Sequence, residues 1–363
     1  MLDDLRGKPV LVTGATGFIG ARVVEQLREA GCRLRLCSRQ PRPPGLSSAI
    51  DWRRCDLSAE APWPALLAGV ELVIHLAGQT SAQVAARDVE ADARINPEAM
   101  VALLEAVPTS ARPCVLMAGT ETAAGPVVGT LDDATPDAPA TVYDAHKLAA
   151  ERALAAAVAD GRVHGASLRL TTVYGPGPRP QARDRGVVDL MIGRALADQP
   201  LTIYGRGELL RDFLYVDDAA AAFLAAASAA ERLGGGHYLV ARGRSLSLHE
   251  AFARVAARVA ELAGVEAPLV HVPWPAELDG PAGAAERRSV EVDASRFRVL
   301  TGWTARVDFD EGLRRTITAR LRTRAKTEAE IETETGAETK TETKTETKTE
   351  TKTETKTEEN EES

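Results

Sequence analysis

Val10-Leu11-Val12-Thr13-Gly14-Ala15-Thr16-Gly17-Phe18-Ile19-Gly20 runs from an apolar segment into a glycine-rich turn, and Ala21 to Ala30 continue as an amphipathic stretch. The pattern predicts strand, turn and helix. Gly14, Gly17 and Gly20 recur at every third position. Glycines so placed let the backbone bend sharply and approach a pyrophosphate, and the helix N-terminus adds unpaired N–H groups and a positive dipole end. A glycine fingerprint alone is weak evidence; its place after the first strand, opening a helix, gives it weight. Gly14, Thr16, Gly17, Phe18, Ile19 and Gly20 are therefore the expected cofactor contacts of this turn.

The chain has 363 residues, 44% hydrophobic and only 4% aromatic, with very many alanines. That suits a helix-rich α/β protein with a sizeable core. No apolar run is long enough to span a membrane, and the charged Met1–Arg6 segment leads directly into the first strand. The expectation is a cytoplasmic protein without a secretory leader. Cys32, Cys37, Cys55 and Cys114 lack metal-ligand spacing and fall in or beside predicted buried elements, so they read as reduced core thiols, with no metal site. The formal charge of −8 is uneven: thirteen Glu and six Lys follow Ala325, so the body is nearly neutral and offers no nucleic-acid surface. This terminal stretch repeats Thr-Glu-Thr-Lys, which in a helix would stack Glu342 on Glu346 and Lys344 on Lys348. It reads as a disordered tail over 325–363.

Strand-like runs alternate with helical patterns through the body. Strands are expected at Arg33–Ser38, Ile50–Arg53, Leu72–Ala77, Cys114–Ala118 and Val163–Thr172, with helices at Glu98–Val107 and Ala145–Ala159. Such alternation implies an α/β, doubly wound parallel sheet with helices on both faces. After Gly175 a Pro- and Arg-rich loop covers Pro176 to Arg185. A helix (Val187–Ala197), short strands at Leu201–Tyr204 and Phe213–Val216, a helix at Asp217–Ala230 and a strand at His237–Ala241 follow. The expected division is a dinucleotide-binding domain over 1–175 with returning segments near 205–243, and a smaller α/β lobe from 176–204 and 244–322. That lobe should cap the C-terminal strand ends, where ligands bind in such sheets.

The end of the second strand selects the cofactor. An acidic residue there would hold the ribose hydroxyls of NAD; instead the run is Leu36-Cys37-Ser38-Arg39. Arg39, helped by Ser38, suits a 2′-phosphate, so NADP is favoured over NAD, which stays possible. Asp56 is placed either to accept from an adenine amino group or to cap the following turn, with Leu57 beside it. Tyr143 and Lys147 share a helix face four residues apart. A tyrosine titrates near 10, too high for proton transfer at neutrality; an adjacent ammonium lowers it and makes the pair a general acid/base.

The glycine turn, His75-Leu76-Ala77-Gly78, Tyr143…Lys147, Leu168-Arg169-Leu170…Val173-Tyr174-Gly175-Pro176-Gly177 and Arg211-Asp212-Phe213-Leu214-Tyr215-Val216-Asp217-Asp218 together resemble the extended short-chain dehydrogenase/reductases. The resemblance covers residues 8 to about 320. Within that family the texture is similar to dTDP-4-keto-6-deoxyhexose 4-ketoreductases of antibiotic deoxysugar pathways, the mycarose type above all: Gly161-Arg162-Val163-His164-Gly165, Arg185-Gly186-Val187-Val188, Arg194-Ala195-Leu196-Ala197 and Thr301-Gly302-Trp303. The resemblance implies Thr120 as a third catalytic residue beside Tyr143 and Lys147, with Thr122 as the alternative hydroxyl, although Gly119 departs from the family's serine run. It implies cofactor contacts at Leu76, Ala77 and Gly78, and substrate contacts at Thr120, Glu121, Thr122, Arg211 and one of Arg287 or Arg288. Arginine suits a diphosphate through its planar fork of donors. Asn96 either steadies the site or caps the helix before Pro97; Asp217 and Asp218 read as helix caps, and His146 as a neighbour of the catalytic face. The family also implies a nucleotide-sugar substrate and a homodimer.

The function so implied is NADPH-dependent reduction of the C4 ketone of a nucleotide-linked 4-keto-6-deoxyhexose. The alternative is an NAD-dependent nucleotide-sugar 4-epimerase, or a dehydratase, for which Glu121 beside Thr120 speaks. A non-catalytic dinucleotide-binding regulator is the reading from another class.

Overall fold

The structure is a computed structural model that describes residues 3–178, 186–275, 283 and 287–327. Residues 179–185 of the Pro- and Arg-rich loop, and the tail beyond 327, lie outside the described residues. Met1–Thr316 form one compact unit, and a second starts at Ile317.

The strands are β1 (Pro9–Thr13), β2 (Arg33–Ser38), β3 (Asp51–Arg54), β4 (Leu72–His75), β5 (Cys114–Thr120), β6 (Val128–Leu131), β7 (His164–Leu170), β8 (Thr172–Tyr174), β9 (Leu201–Tyr204), β10 (Leu210–Tyr215), β11 (His237–Val240), β12 (Ser245–Ser247), β13 (Leu269–Val272) and β14 (Ser289–Val292). Seven form one sheet in the order β11-β7-β5-β4-β1-β2-β3, and every pair is parallel. This is the expected doubly wound, Rossmann-like sheet. The chain reverses its direction of travel across the sheet between β1 and β4, where a crevice opens at the strand C-termini.

The apolar strand runs follow from this burial on both faces. Val10 and Val12 of β1 enter a core with Leu27 and Phe223, while Leu11 enters the opposite core with Leu103 and Leu154. The helices begin with α1 (Phe18–Glu29), α2 (Trp63–Leu67), α3 (Ala82–Arg87), α4 (Val89–Ala93), α5 (Ala99–Glu105), α6 (Val142–Ala159), α7 (Gly186–Leu196) and α8 (Val216–Ser228). In α1, Gly20, Val23 and Leu27 share the buried face. The many alanines of α8 are buried nearly all round, which keeps that helix thin enough to pack closely.

Three departures from the sequence reading matter for the site. The run Val163–Thr172 is broken at Thr171, whose Oγ1 donates to Asp212 at 2.9 Å; β7 stays in the large sheet and β8 crosses to a small sheet with β10 and β12. Helix α6 starts at Val142, because the Thr141 hydroxyl accepts from the Asp144 N–H at 3.2 Å and caps it. Asp217 and Asp218 lie in the first turn of α8 but are not side-chain caps: Asp217 pairs with Arg22 at 3.1 Å, and Asp218 accepts from Val307 N at 2.9 Å.

The thiols are a correction. Cys32 and Cys114 are free, but Cys37 and Cys55 form a disulfide, with Cα atoms 6.4 Å apart. Cys37 lies in β2 and Cys55 directly follows β3; only the pairing of β2 with β3 brings the two sulfurs together. Closing a loop of this length stabilises by about 3 kcal/mol through the entropy of the unfolded chain. Reduction, or Cys55→Ser, is expected to lower the urea midpoint accordingly; an unchanged midpoint would show that the link adds nothing.

Candidate active site

Gly14, at a φ of 66°, turns the chain out of β1. A Cβ there would lie 2.7 Å from Ala77 N, and one at Gly20 would lie 2.1 Å from the Gly14 carbonyl oxygen. Glycine is thus demanded twice, by conformation and by close backbone approach. Gly17 occupies the N-cap of α1 and has no side chain to satisfy the first N–H groups, which face an open cavity of about 800 Å³. This is an arrangement made for an anion. The opposite rim is fixed by Thr13, whose Oγ1 accepts from the N–H groups of Leu76 and Ala77, both at 3.2 Å, and hydrogen-bonds His75 Nδ1 at 3.0 Å. Burial, with Lys147 adding, pulls His75 down to about 3, so it is neutral.

The structure brings the predicted set together. Gly14, Thr16, Gly17, Phe18, Ile19, Gly20, Ser38, Arg39, Asp56, Leu57, Leu76, Ala77, Gly78, Thr120, Tyr143 and Lys147 all line this cavity. Ser38 Oγ is engaged by Thr16 Oγ1 at 2.8 Å and by Gln40 N at 3.1 Å, whereas Arg39 is exposed at the rim. Asp56 accepts from Ser58 N at 3.0 Å and Ser58 Oγ at 2.7 Å, so it caps its turn while bordering the cavity. Those two bonds hold its carboxyl below the usual range.

At the other end, three hydroxyls and a carboxylate form a directed chain. Asp144 accepts from Thr141 Oγ1 at 2.7 Å and, closely, from Thr122 Oγ1. Thr122, its proton committed to Asp144, accepts from Thr120 Oγ1 at 2.7 Å. Thr120, at the end of this chain, lines the cavity together with Tyr143. Thr122 therefore orients Thr120 and does not itself line the cavity. Burial, then Asp144, raises the Tyr143 phenol above its ordinary value against the opposing influence of Thr120. The phenol therefore rests protonated. Lys147 is buried and pulled down to about 8 by desolvation, opposed by Glu151 and Asp92.

The structure also explains Gly119. A Cβ there would lie 2.4 Å from Ser167 Oγ and 3.3 Å from Glu151 Oε2. Glu151 is clasped by the buried Arg169 at 2.5 Å and 3.1 Å, and Arg169 also reaches Asp137 at 2.7 Å. The Arg169 guanidinium and a His237 hydrogen bond offset burial and hold Glu151 down near 2. Sequence reasoning missed this cluster, although Glu151 stands four residues beyond Lys147 on one helix face.

The remaining substrate candidates stand apart from the cavity lining. Arg288 donates to the buried Glu121 at 2.7 Å; Arg211 donates to the carbonyl of Leu210 at 2.9 Å and, closely, to that of Arg288; Arg287 lies over the Trp274 ring at 5.1 Å. Asn96 belongs to a π-helical turn, Arg94–Glu98, and is no N-cap: its Nδ2 donates to Gln79 O at 3.2 Å, and its buried Oδ1 has no protein partner beside Gly78.

A parallel sheet with a glycine turn at its switch point defines the class of dinucleotide-binding α/β folds. The chain belongs to the NAD dependent epimerase/dehydratase family, whose model matches residues 10–241. It is 30% identical over 321 residues to a UDP-glucose 4-epimerase of Mycolicibacterium smegmatis, covering 85% of this chain and 96% of that one. It is also 30% identical over 328 residues to a dTDP-6-deoxy-L-talose 4-dehydrogenase (NAD(P)(+)) of Kitasatospora kifunensis, covering 86% and 95%. Among solved structures it is similar to MoeE5 in complex with UDP-glucuronic acid and NAD, with a TM-score of 0.73 and 30% identity over 87% of this chain and 99% of that one.

Proposed function

We propose that this protein is an NAD-dependent enzyme acting at C4 of a nucleotide-linked hexose, in the manner of a 4-epimerase. The observation that carries the reading is the convergence of Thr120, held by the Asp144–Thr122 hydrogen bonds, with Tyr143 and Lys147 on the cavity that the glycine turn opens. The cradle at Gly14 and Gly20 and the uncapped start of α1 fit a dinucleotide pyrophosphate. When bound, a nicotinamide supplies the site that accepts and returns a hydride. The chain's own residues do the rest. Tyr143 exchanges a proton with the sugar oxygen, Thr120 orients that oxygen, and Lys147 supports the phenolate by its charge. Relatives that carry 4-epimerase names, and the NAD in the MoeE5 complex, support this reading over a reductase.

A second reading, the NADPH-dependent 4-ketoreductase of deoxysugars, keeps a specific observation: no carboxylate follows β2, and Arg39 stands at the cavity rim instead. The relative from Kitasatospora kifunensis bears an NAD(P) name. The dehydratase reading loses the argument from Glu121, which is buried against Arg288 outside the cavity lining, and rests on the family match alone. A regulator would not need the Tyr143–Lys147 pair.

The test is to purify the protein, measure nicotinamide retained through gel filtration, and incubate it with UDP- and dTDP-hexoses. Retained NAD and interconversion of C4 epimers without net change in nicotinamide absorbance are expected. Stoichiometric NADPH oxidation with a dTDP-4-keto-6-deoxyhexose would overturn the epimerase in favour of the reductase. In that case Arg39→Asp is expected to raise the KM for NADPH at least tenfold and leave NADH unaffected, because only the former carries a 2′-phosphate.

A further inference from the structure

Asp92 is 1% exposed, sits on α4 and borders the cavity. Both its oxygens are engaged. Oδ1 accepts from Gln79 Nε2 at 2.8 Å and from Asn96 Nδ2 at 3.1 Å, and Oδ2 lies 2.7 Å from His146 Nδ1. A buried carboxylate is costly unless it is fully hydrogen-bonded, and this one is bonded from three elements at once: the loop after β4, the π-helical turn and α6. His146 stands between Tyr143 and Lys147 in sequence, so its bond ties the catalytic helix to the cavity floor.

We propose that Asp92 and His146 are a positioning pair for Lys147: Asp92 supplies a buried counter-charge to the lysine, and His146 fixes where that charge lies. The proposal rests on the reading of Tyr143 and Lys147 as the proton-handling pair.

Lys147 Nζ and the Asn96 amide that donates to Asp92 come together at Gly78, where a Cβ would lie 3.9 Å from the former and 2.8 Å from Asn96 Oδ1. The charged groups acting on Lys147 are Glu151 on its own helix and Asp92 on α4, with the neutral His75 on β4 nearby. Glu151 is already shared with Arg169, at 2.5 Å and 3.1 Å, and with His237 at 3.4 Å. Asp92 meets two neutral amides and one imidazole, so much of its field remains for Lys147. Burial lowers the lysine and the two carboxylates oppose it; it titrates at about 8, so the ammonium is lost as pH rises through that value. Removing Asp92's charge must lower that point.

The experiment compares Asp92→Asn, His146→Ala and His146→Gln in the full chain, with thermal melting as the check on folding. Two pH profiles are recorded from 6 to 10: kcat/KM with the best nucleotide sugar, and NADH affinity by fluorescence. Asp92→Asn is expected to move the alkaline limb down by at least half a pH unit in both. His146→Ala should shift it less, in the same direction. His146→Gln keeps a donor for Asp92 and should restore most of the loss. A folded Asp92→Asn protein with the wild-type limb overturns the proposal, as does a lower melting temperature with no shift of the limb. Should Asp92→Asn not fold, the contrast between His146→Ala and His146→Gln decides. Absence of any turnover by the wild type would sink the functional reading instead, and the NADH profile would still test the pair.

Discussion

Tyr143→Phe is expected to lower kcat by about 10²–10⁴-fold, the range over which a positioned acid/base acts. The phenyl ring keeps the packing of the half-buried side chain, so cofactor affinity should change little and the melting temperature by no more than one lost hydrogen bond, about 1 kcal/mol. The effect is large because the phenol is the acid beside the held hydroxyl: Asp144 accepts from Thr122, Thr122 accepts from Thr120, and Thr120 and Tyr143 line the same cavity. Thr120→Val should cost less, about tenfold, since the tyrosine still delivers its proton to a less well-held oxygen. Steady-state kinetics with the best nucleotide sugar give the answer. Full turnover by the phenylalanine variant would remove Tyr143 from the chemistry and leave the cavity as a binding site only.

Gly20→Ala is expected to have the largest effect on cofactor binding. Its methyl would lie 2.1 Å from the Gly14 carbonyl oxygen and 2.9 Å from the Gly14 carbonyl carbon, both backbone atoms of the turn itself. Neither can swing aside as a flexible side chain would, so α1 and the turn must separate. Overpacking of this kind costs about 1–3 kcal/mol, and displacement of the N–H groups should weaken NAD(H) binding about 10–100-fold. Gly17→Ala provides the graded comparison, with the nearest atom at 3.0 Å and an ordinary extended backbone. Its loss should be smaller. Equal affinities of Gly20→Ala and wild type, by NADH fluorescence titration, would refute the turn as the pyrophosphate cradle.

Much of this site was readable before any coordinates. The glycine spacing and the Tyr143–Lys147 spacing are local facts, set by the geometry of one turn and one helix face. The alternation of apolar runs with helices carries the parallel sheet, because strands buried on both faces must be apolar throughout. What stayed hidden is long-range. Asp92 and His146 are separated by 54 positions, Glu121 and Arg288 by 167, and nothing in the residues between them marks the pair.

By itself, then, the sequence determined the parallel sheet, the glycine turn and the shared helix face of Tyr143 and Lys147, since these follow from periodicity and spacing. Thr120 followed from the family resemblance, and the tertiary structure gathered the three on one cavity. Only the tertiary structure decided that Cys37 reaches Cys55, that Gly119 makes room for Ser167 and the Arg169–Glu151 clasp, and that Glu121 turns to Arg288. It also decided that Tyr143 rests protonated. The physical reason is common to all four: pairing of buried polar groups and desolvation depend on which elements meet, and burial, absent from any local pattern, sets the price of every charge held there.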